Sequence, residues 1–106
     1  MITNDKIKIF DNQDKNPDDF YDRFRKQLDE RHDFPGNYMF KFIIPTGDKN
    51  IALLHKIFDH GEASFVMRES KNGKYTSVTV TLYVPDSISV IEYYKEAGKI
   101  KDIMML

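Results

Sequence analysis

The chain has 106 residues, 41% of them hydrophobic and 31% charged, with a formal net charge of -1. That size and mixture fit one soluble domain with one modest core, and leave little material for a second. The 16 basic and 17 acidic side chains balance, which argues against nucleic acid as an obligate partner. With no Cys there is no disulfide framework, no Cys-based zinc site and no thiol nucleophile. A secreted domain this small usually leans on disulfides, and Met1–Lys6 lacks the apolar core of a signal peptide. No apolar run approaches the ~20 residues that cross a bilayer. The expectation is a cytoplasmic protein without a membrane segment. Its 8 Phe and 6 Tyr, against no Trp, supply much of the apolar area such a core needs.

Lys6-Ile7-Lys8-Ile9-Phe10 alternates briefly and reads as an edge strand or extended arm, followed by a polar turn over residues 11–16. Asn16-Pro17-Asp18-Asp19 then starts a helix: a cap, Pro at the first helical position, and acids near the positive end of the dipole. Phe20, Phe24 and Leu28 recur every four residues, with Tyr21 beside them, so the helix over about 17–31 has one apolar face. It ends before Phe34-Pro35-Gly36-Asn37. That turn divides an N-terminal extension, 1–34, from a main domain, 35–106.

From Tyr38 the period changes to two. Tyr38, Phe40, Phe42 and Ile44 share one face of a strand, while Met39, Lys41 and Ile43 share the other. After Pro45-Thr46-Gly47-Asp48, the stripe Ile51, Leu54, Phe58, flanked by Ile57, marks a helix that stops at Gly61. Glu62 to Glu69 alternates with Ala63, Phe65 and Met67 on one face. Lys71-Asn72-Gly73-Lys74 predicts a type I′ hairpin turn. The longest strand follows, with Thr76, Val78, Val80, Leu82 and Val84 on its buried face. Tyr75, Ser77, Thr79, Thr81 and Tyr83 form its wet face. Pro85-Asp86-Ser87 opens a second helix, capped at Asp86, Ser87 or a Ser89–Glu92 box, with Ile88, Ile91 and Tyr94 as its buried stripe and Gly98 past its end. Ile100 to Leu106 reads as the last strand.

The order from Tyr38 is β-α-β-β-α-β, which predicts an α+β, ferredoxin-like sandwich: a four-stranded antiparallel sheet with two helices on one face. The other face needs cover, either from the N-terminal helix or from another protein surface.

Several stretches resemble the YbeD-like family of small bacterial proteins. These are Phe34-Pro35, Tyr38 and Phe40-Lys41, then Ser70-Lys71-Asn72-Gly73-Lys74-Tyr75-Thr76-Ser77-Val78-Thr79, and finally Tyr94, Glu96 and Gly98-Lys99-Ile100. The resemblance runs from Phe34 to Leu106; residues 1–33 form a longer, more aromatic extension. It implies an ACT-like variant of the fold and, by analogy with ACT-like domains, a regulatory role in sensing a small molecule or mediating assembly.

Catalytic patterns are missing. There is no Gly-x-Ser-x-Gly elbow, and His32, His55 and His60 make no triad. His55 and His60 are five apart, which puts them on different sides of a helix rather than at the i,i+4 spacing of a metal pair. Thr46-Gly47-Asp48-Lys49 lacks phosphate-loop spacing. Thr46, Gly47 and Asp48 do occupy the place where ACT-like domains let the backbone approach a small effector, and a plain turn is the competing reading. The expectation is a non-enzymatic regulatory or interaction module without a metal or cofactor. Its partner would be a protein, a small effector, or a second copy joined through sheet edges. The alternative is single-stranded RNA stacking on Tyr75 and Tyr83, against which stands the absence of the Arg/Lys-Gly-Phe signature.

Overall fold

A computed structural model describes residues 17–59 and 62–106. The expected arm at Lys6–Phe10, the turn over 11–16 and the cap at Asn16 lie outside the described residues, and the helix expected to stop at Gly61 ends earlier, at Ile57, where the Phe58 N–H caps it by bonding the Leu54 carbonyl. The elements are α1 (Pro17–Arg31), β1 (Gly36–Pro45), α2 (Asp48–Ile57), β2 (Ser64–Glu69), β3 (Tyr75–Val84), α3 (Ser87–Ala97) and β4 (Met104–Met105). The four strands form one sheet in the order β2-β3-β1-β4, with every pairing antiparallel.

The period-two patterns set the register. In β1 and β3, Phe40 stands opposite Val80, Phe42 opposite Val78 and Tyr38 opposite Leu82, so the apolar rows of both strands meet on one face. Phe40, Ile44, Val80 and Val84 are fully buried there. The helices bring rings to the same face. Phe40 lies 5.0 Å from Phe58 at the end of α2, and 5.6 Å and 5.2 Å from Tyr93 and Tyr94 of α3 (centroid separations). Leu28 of α1 joins this core, and Phe24 packs 5.6 Å from Tyr94. All three helices therefore cover one face. The N-terminal helix does not shield the outward row of β3, because its apolar stripe is spent on α3.

Four local expectations need correction. First, β1 begins at Gly36 rather than Tyr38, since its pairing with β3 continues to Gly36 opposite Val84. Second, the hairpin is not type I′, which needs two central residues with positive φ. Only Gly73 has it, at 73°, and its N–H donates to the Ser70 carbonyl at 2.9 Å. This is a type I turn followed by a left-handed Gly, with the Asn72 side chain accepting from Ser70 Oγ (2.9 Å) and the Lys74 N–H (3.0 Å).

Third, Ile88 is 53% exposed. Asp86 caps the helix by accepting from the Ser89 N–H at 2.8 Å, and the buried stripe is Ser87, Val90, Ile91, Tyr94 and Ala97. These recur at helical spacing, and Ile88 sits about 100° round from Ser87. Fourth, the last strand shrinks to Met104–Met105. Beyond α3, i→i+3 bonds from the Lys99, Ile100 and Ile103 N–H groups hold the chain in turns, Asp102 takes a left-handed φ of 63°, and Ile100 is buried. Pairing with β1 resumes only at Met104, and the Leu106 N–H reaches the Lys41 carbonyl at 3.0 Å.

Phe40 contacts rings from β1, α2 and α3 at once, so its truncation should cost about 3–5 kcal/mol, a large part of the roughly 5–15 kcal/mol a domain has. Urea unfolding of Phe40→Ala should show a much lower midpoint, whereas Tyr83→Ala on the outward row should change the unfolding free energy by less than about 1 kcal/mol.

Candidate interaction surface

The alternation that sends Phe40 inward sends its neighbours outward. Tyr75, Ser77, Thr79, Thr81 and Tyr83 share the outward row of β3, as their spacing predicts. Tyr75 and Tyr83 stand exposed at its two ends, Tyr83 at 64%. Thr79 and Thr81 are half-buried between flanking strands, and Ser77 Oγ donates to the Arg68 carbonyl at 3.3 Å. Register brings further side chains to this face. Met39 and Ser64 flank Thr81, Lys41 and Val66 flank Thr79, and Ile43 and Arg68 flank Ser77. Met104 of β4 follows beside Ile43. Val66 is 67% exposed, and Met39 and Met104 are exposed too. The face is thus apolar and hydroxylic, with aromatic ends and two cations, Lys41 and Arg68. The contributions of Val66, Arg68 and Met104 depend on strand pairing, which no single strand's alternation shows.

The Thr46-Gly47-Asp48 loop lies at the Tyr75 end of the sheet and is tied inward. The Thr46 N–H donates to the Lys74 carbonyl at 2.9 Å, the Thr46 and Thr76 hydroxyls share a 2.8 Å bond, and Asn50 Nδ2 donates to the Pro45 carbonyl at 2.9 Å. Gly47 is extended, and a Cβ there would meet nothing within 4 Å. Asp48 puts a carboxylate in the first turn of α2. His32 and His55 are separated by their packing: His55 stacks on Phe65 at 4.0 Å, and His32 sits 5.2 Å from Tyr38. Among the described residues, no group of three His, Cys, Asp or Glu side chains is placed to hold a metal ion. No helix among them is long and apolar enough to cross a membrane.

Residues 29–106, well over half of the chain, match the model of a protein family of unknown function, DUF493. The chain belongs to that family. No curated protein and no solved structure matches it. The DUF493 match begins within α1, after Phe20, Tyr21, Phe24 and Leu28, so those apolar residues lie before the matched region.

The tyrosines divide by environment. Tyr94 is buried, and its hydroxyl shares a 3.5 Å hydrogen bond with that of Tyr38. Burial, with smaller contributions from the charge and hydrogen bond of Tyr38, raises its pKa far above the ordinary value near 10. Burial also raises Tyr21, over whose ring Lys95 Nζ sits at 4.9 Å. The unfolded chain releases the Tyr94 proton near pH 10 while the folded chain keeps it, so stability falls as pH rises above about 10. Urea unfolding between pH ~8 and ~11 should show that loss, and Tyr94→Phe should lose less over the same interval.

Proposed function

We propose that this DUF493 chain is a small non-enzymatic interaction module of regulatory type that docks a partner protein on the open face of its sheet. One observation carries the reading: three helices seal one face, while the other leaves Met39, Val66, Tyr75, Tyr83 and Met104 exposed. Apolar and aromatic surface spread over a sheet face in this way marks an interaction site. Tyrosine suits such a site because its ring buries area while its hydroxyl stays wet. Lys41 and Arg68 make an acidic, centrally apolar partner surface the better fit. The succession β-α-β-β-α-β from β1 and the order β2-β3-β1-β4 support reading the sheet as ferredoxin-like, in the ACT-like form of the YbeD-like type. The absence of Cys and of nucleophile-elbow spacing supports the non-enzymatic part, and the lack of disulfides supports a place in the bacterial cytoplasm.

The effector reading of Thr46, Gly47 and Asp48 has less support. The Thr46 hydroxyl and N–H are already bonded to Thr76 and Lys74, and the Asp48 carboxylate opposes an anionic ligand at the start of α2. Single-stranded RNA is the second reading for the face itself, favoured by Lys41 and Arg68 lying between Tyr75 and Tyr83. A second copy would join along β2, the longer of the two edge strands.

Affinity capture from native extract with the intact chain and with Val66→Asp/Tyr83→Asp tests the proposal. Both side chains project into solvent, so the variant should fold, and it should retain roughly tenfold less of a specific partner protein. Equal retention by both chains would remove the sheet face from consideration. RNA titration at low salt separates the second reading: saturable binding lost on Tyr75→Ala/Tyr83→Ala would replace the protein partner with RNA. Light scattering that stays at 12.5 kDa at all concentrations removes self-association and leaves a different protein as the partner.

A further inference from the structure

A second surface lies on the helical side of the molecule, independent of the open sheet face. α2 and α3 diverge around a trough of about 540 Å³, within the usual range of roughly 300–1,000 Å³ for binding sites. Its α3 wall is made by the Asp86 cap, Ser89, Glu92, Tyr93 and Glu96, positions three or four apart along the whole helix. Eleven residues at ~1.5 Å each give a length of about 16 Å. That shape is linear, and it suits a peptide segment better than a compact molecule.

The floor is apolar. Ile57 comes from α2, Tyr93 stacks on Phe58 at 4.8 Å and 14°, and exposed Ile88 supplies an aliphatic edge that the core does not use. The rim is acidic, with Asp86, Glu92 and Glu96 facing Lys56 alone. Asp86 is engaged with the Ser89 N–H, and Glu96 with Lys99 at 2.5 Å. Glu92 has no hydrogen-bond or ion-pair partner among the described residues. On the other flank of α3 a smaller trough, which Ile88 and Glu92 also border, holds Asp22, Arg25 and Lys95, where charges of both signs meet. The open sheet face carries Lys41 and Arg68 and so repels a basic ligand. Among the described residues, the α2–α3 trough joins an apolar floor to net negative charge.

We propose that this trough docks a basic, apolar peptide segment of a partner protein. Its aliphatic or aromatic side chains rest on Ile57, Ile88 and Tyr93, and its Lys or Arg side chains meet Glu92 and Glu96.

An unbiased test pans a library of random displayed dodecapeptides on the full chain, with Glu92→Lys and Ile88→Ser as comparison baits. Both residues are exposed, and amide NMR spectra establish that the variants keep the fold. Peptides selected by the natural sequence should be enriched in Lys or Arg spaced among Ile, Leu or Phe. Their dissociation constants should rise roughly tenfold on either variant. Amide shift changes with the tightest peptide should fall on Ser89, Glu92 and Tyr93. Enrichment of acidic peptides, equal binding to the variants, shifts confined to Tyr75–Tyr83, or no enrichment at all would each overturn the proposal.

Discussion

The ring of Phe40 is the point on which the fold depends. It sits in a central strand, fully buried, with Tyr38 and Phe42 beside it on β1 at 4.8 Å and 6.3 Å. Phe58, Tyr93 and Tyr94 close over it from the helices. A chain with no Trp and a small core fills volume with rings, and rings pack best when edges meet faces. Angles of 66° to Tyr38 and 71° to Tyr93 are of that kind. The cluster fixes where α2 and α3 lie, because each must deliver a ring to the same spot. It also brings α1 in at second hand, through the contact of Phe24 with Tyr94.

Sealing one face in this way determines what is left on the other. The helices direct most of their large apolar residues toward the cluster or toward α3, and exposed Leu53 and Ile88 lie on the helical side, so none covers the outward rows of β1, β2 and β3. Those rows keep side chains that tolerate water, such as Ser77, Thr79 and Thr81, but they also keep Met39, Val66 and Tyr83, whose exposure the core does not require. The two surfaces left over have opposite sign. The sheet face carries cations, and the trough between α2 and α3 carries acids. A ligand whose charge suits one of these surfaces is repelled by the other.

Much of this was legible in the amino-acid order because β1 and β3 alternate cleanly. Tyr38 to Ile44 and Tyr75 to Val84 assign each residue to a face before any pairing is known. Three things were not legible, and each has a physical reason. Ile88 falls at helical spacing from Ile91, yet the stripe is set by the small residues Ser87 and Ala97, which let α3 lie close to the sheet. The run from Ile100 to Leu106 is apolar enough for a strand, but Ile100 is needed as a plug below α3 and the turn at Asp102 uses up the length. The destination of α1 depended on Tyr94, a residue some 70 positions away whose place as a packing partner its own periodicity does not reveal.

That destination also explains why the trough on one flank of α3 is smaller and of mixed charge, while the trough on the other is larger and acidic. α3 has a core side and two flanks. α1 packs along one flank, placing Tyr21 under Lys95 and Phe24 against Tyr94, and it narrows that side with residues that precede the DUF493 match. α2 approaches the other flank only near its own end, where Phe58 dips to the core and Ile57 stays half-buried. The space between them is therefore bounded by the side chains α3 does not use for packing: Glu92, Glu96, and the outer edge of Tyr93. An aromatic extension along one flank and a short helix that leaves the other ajar are enough to create an acidic, apolar-floored trough, edged by Ile88, Glu92 and Glu96, which the core does not use.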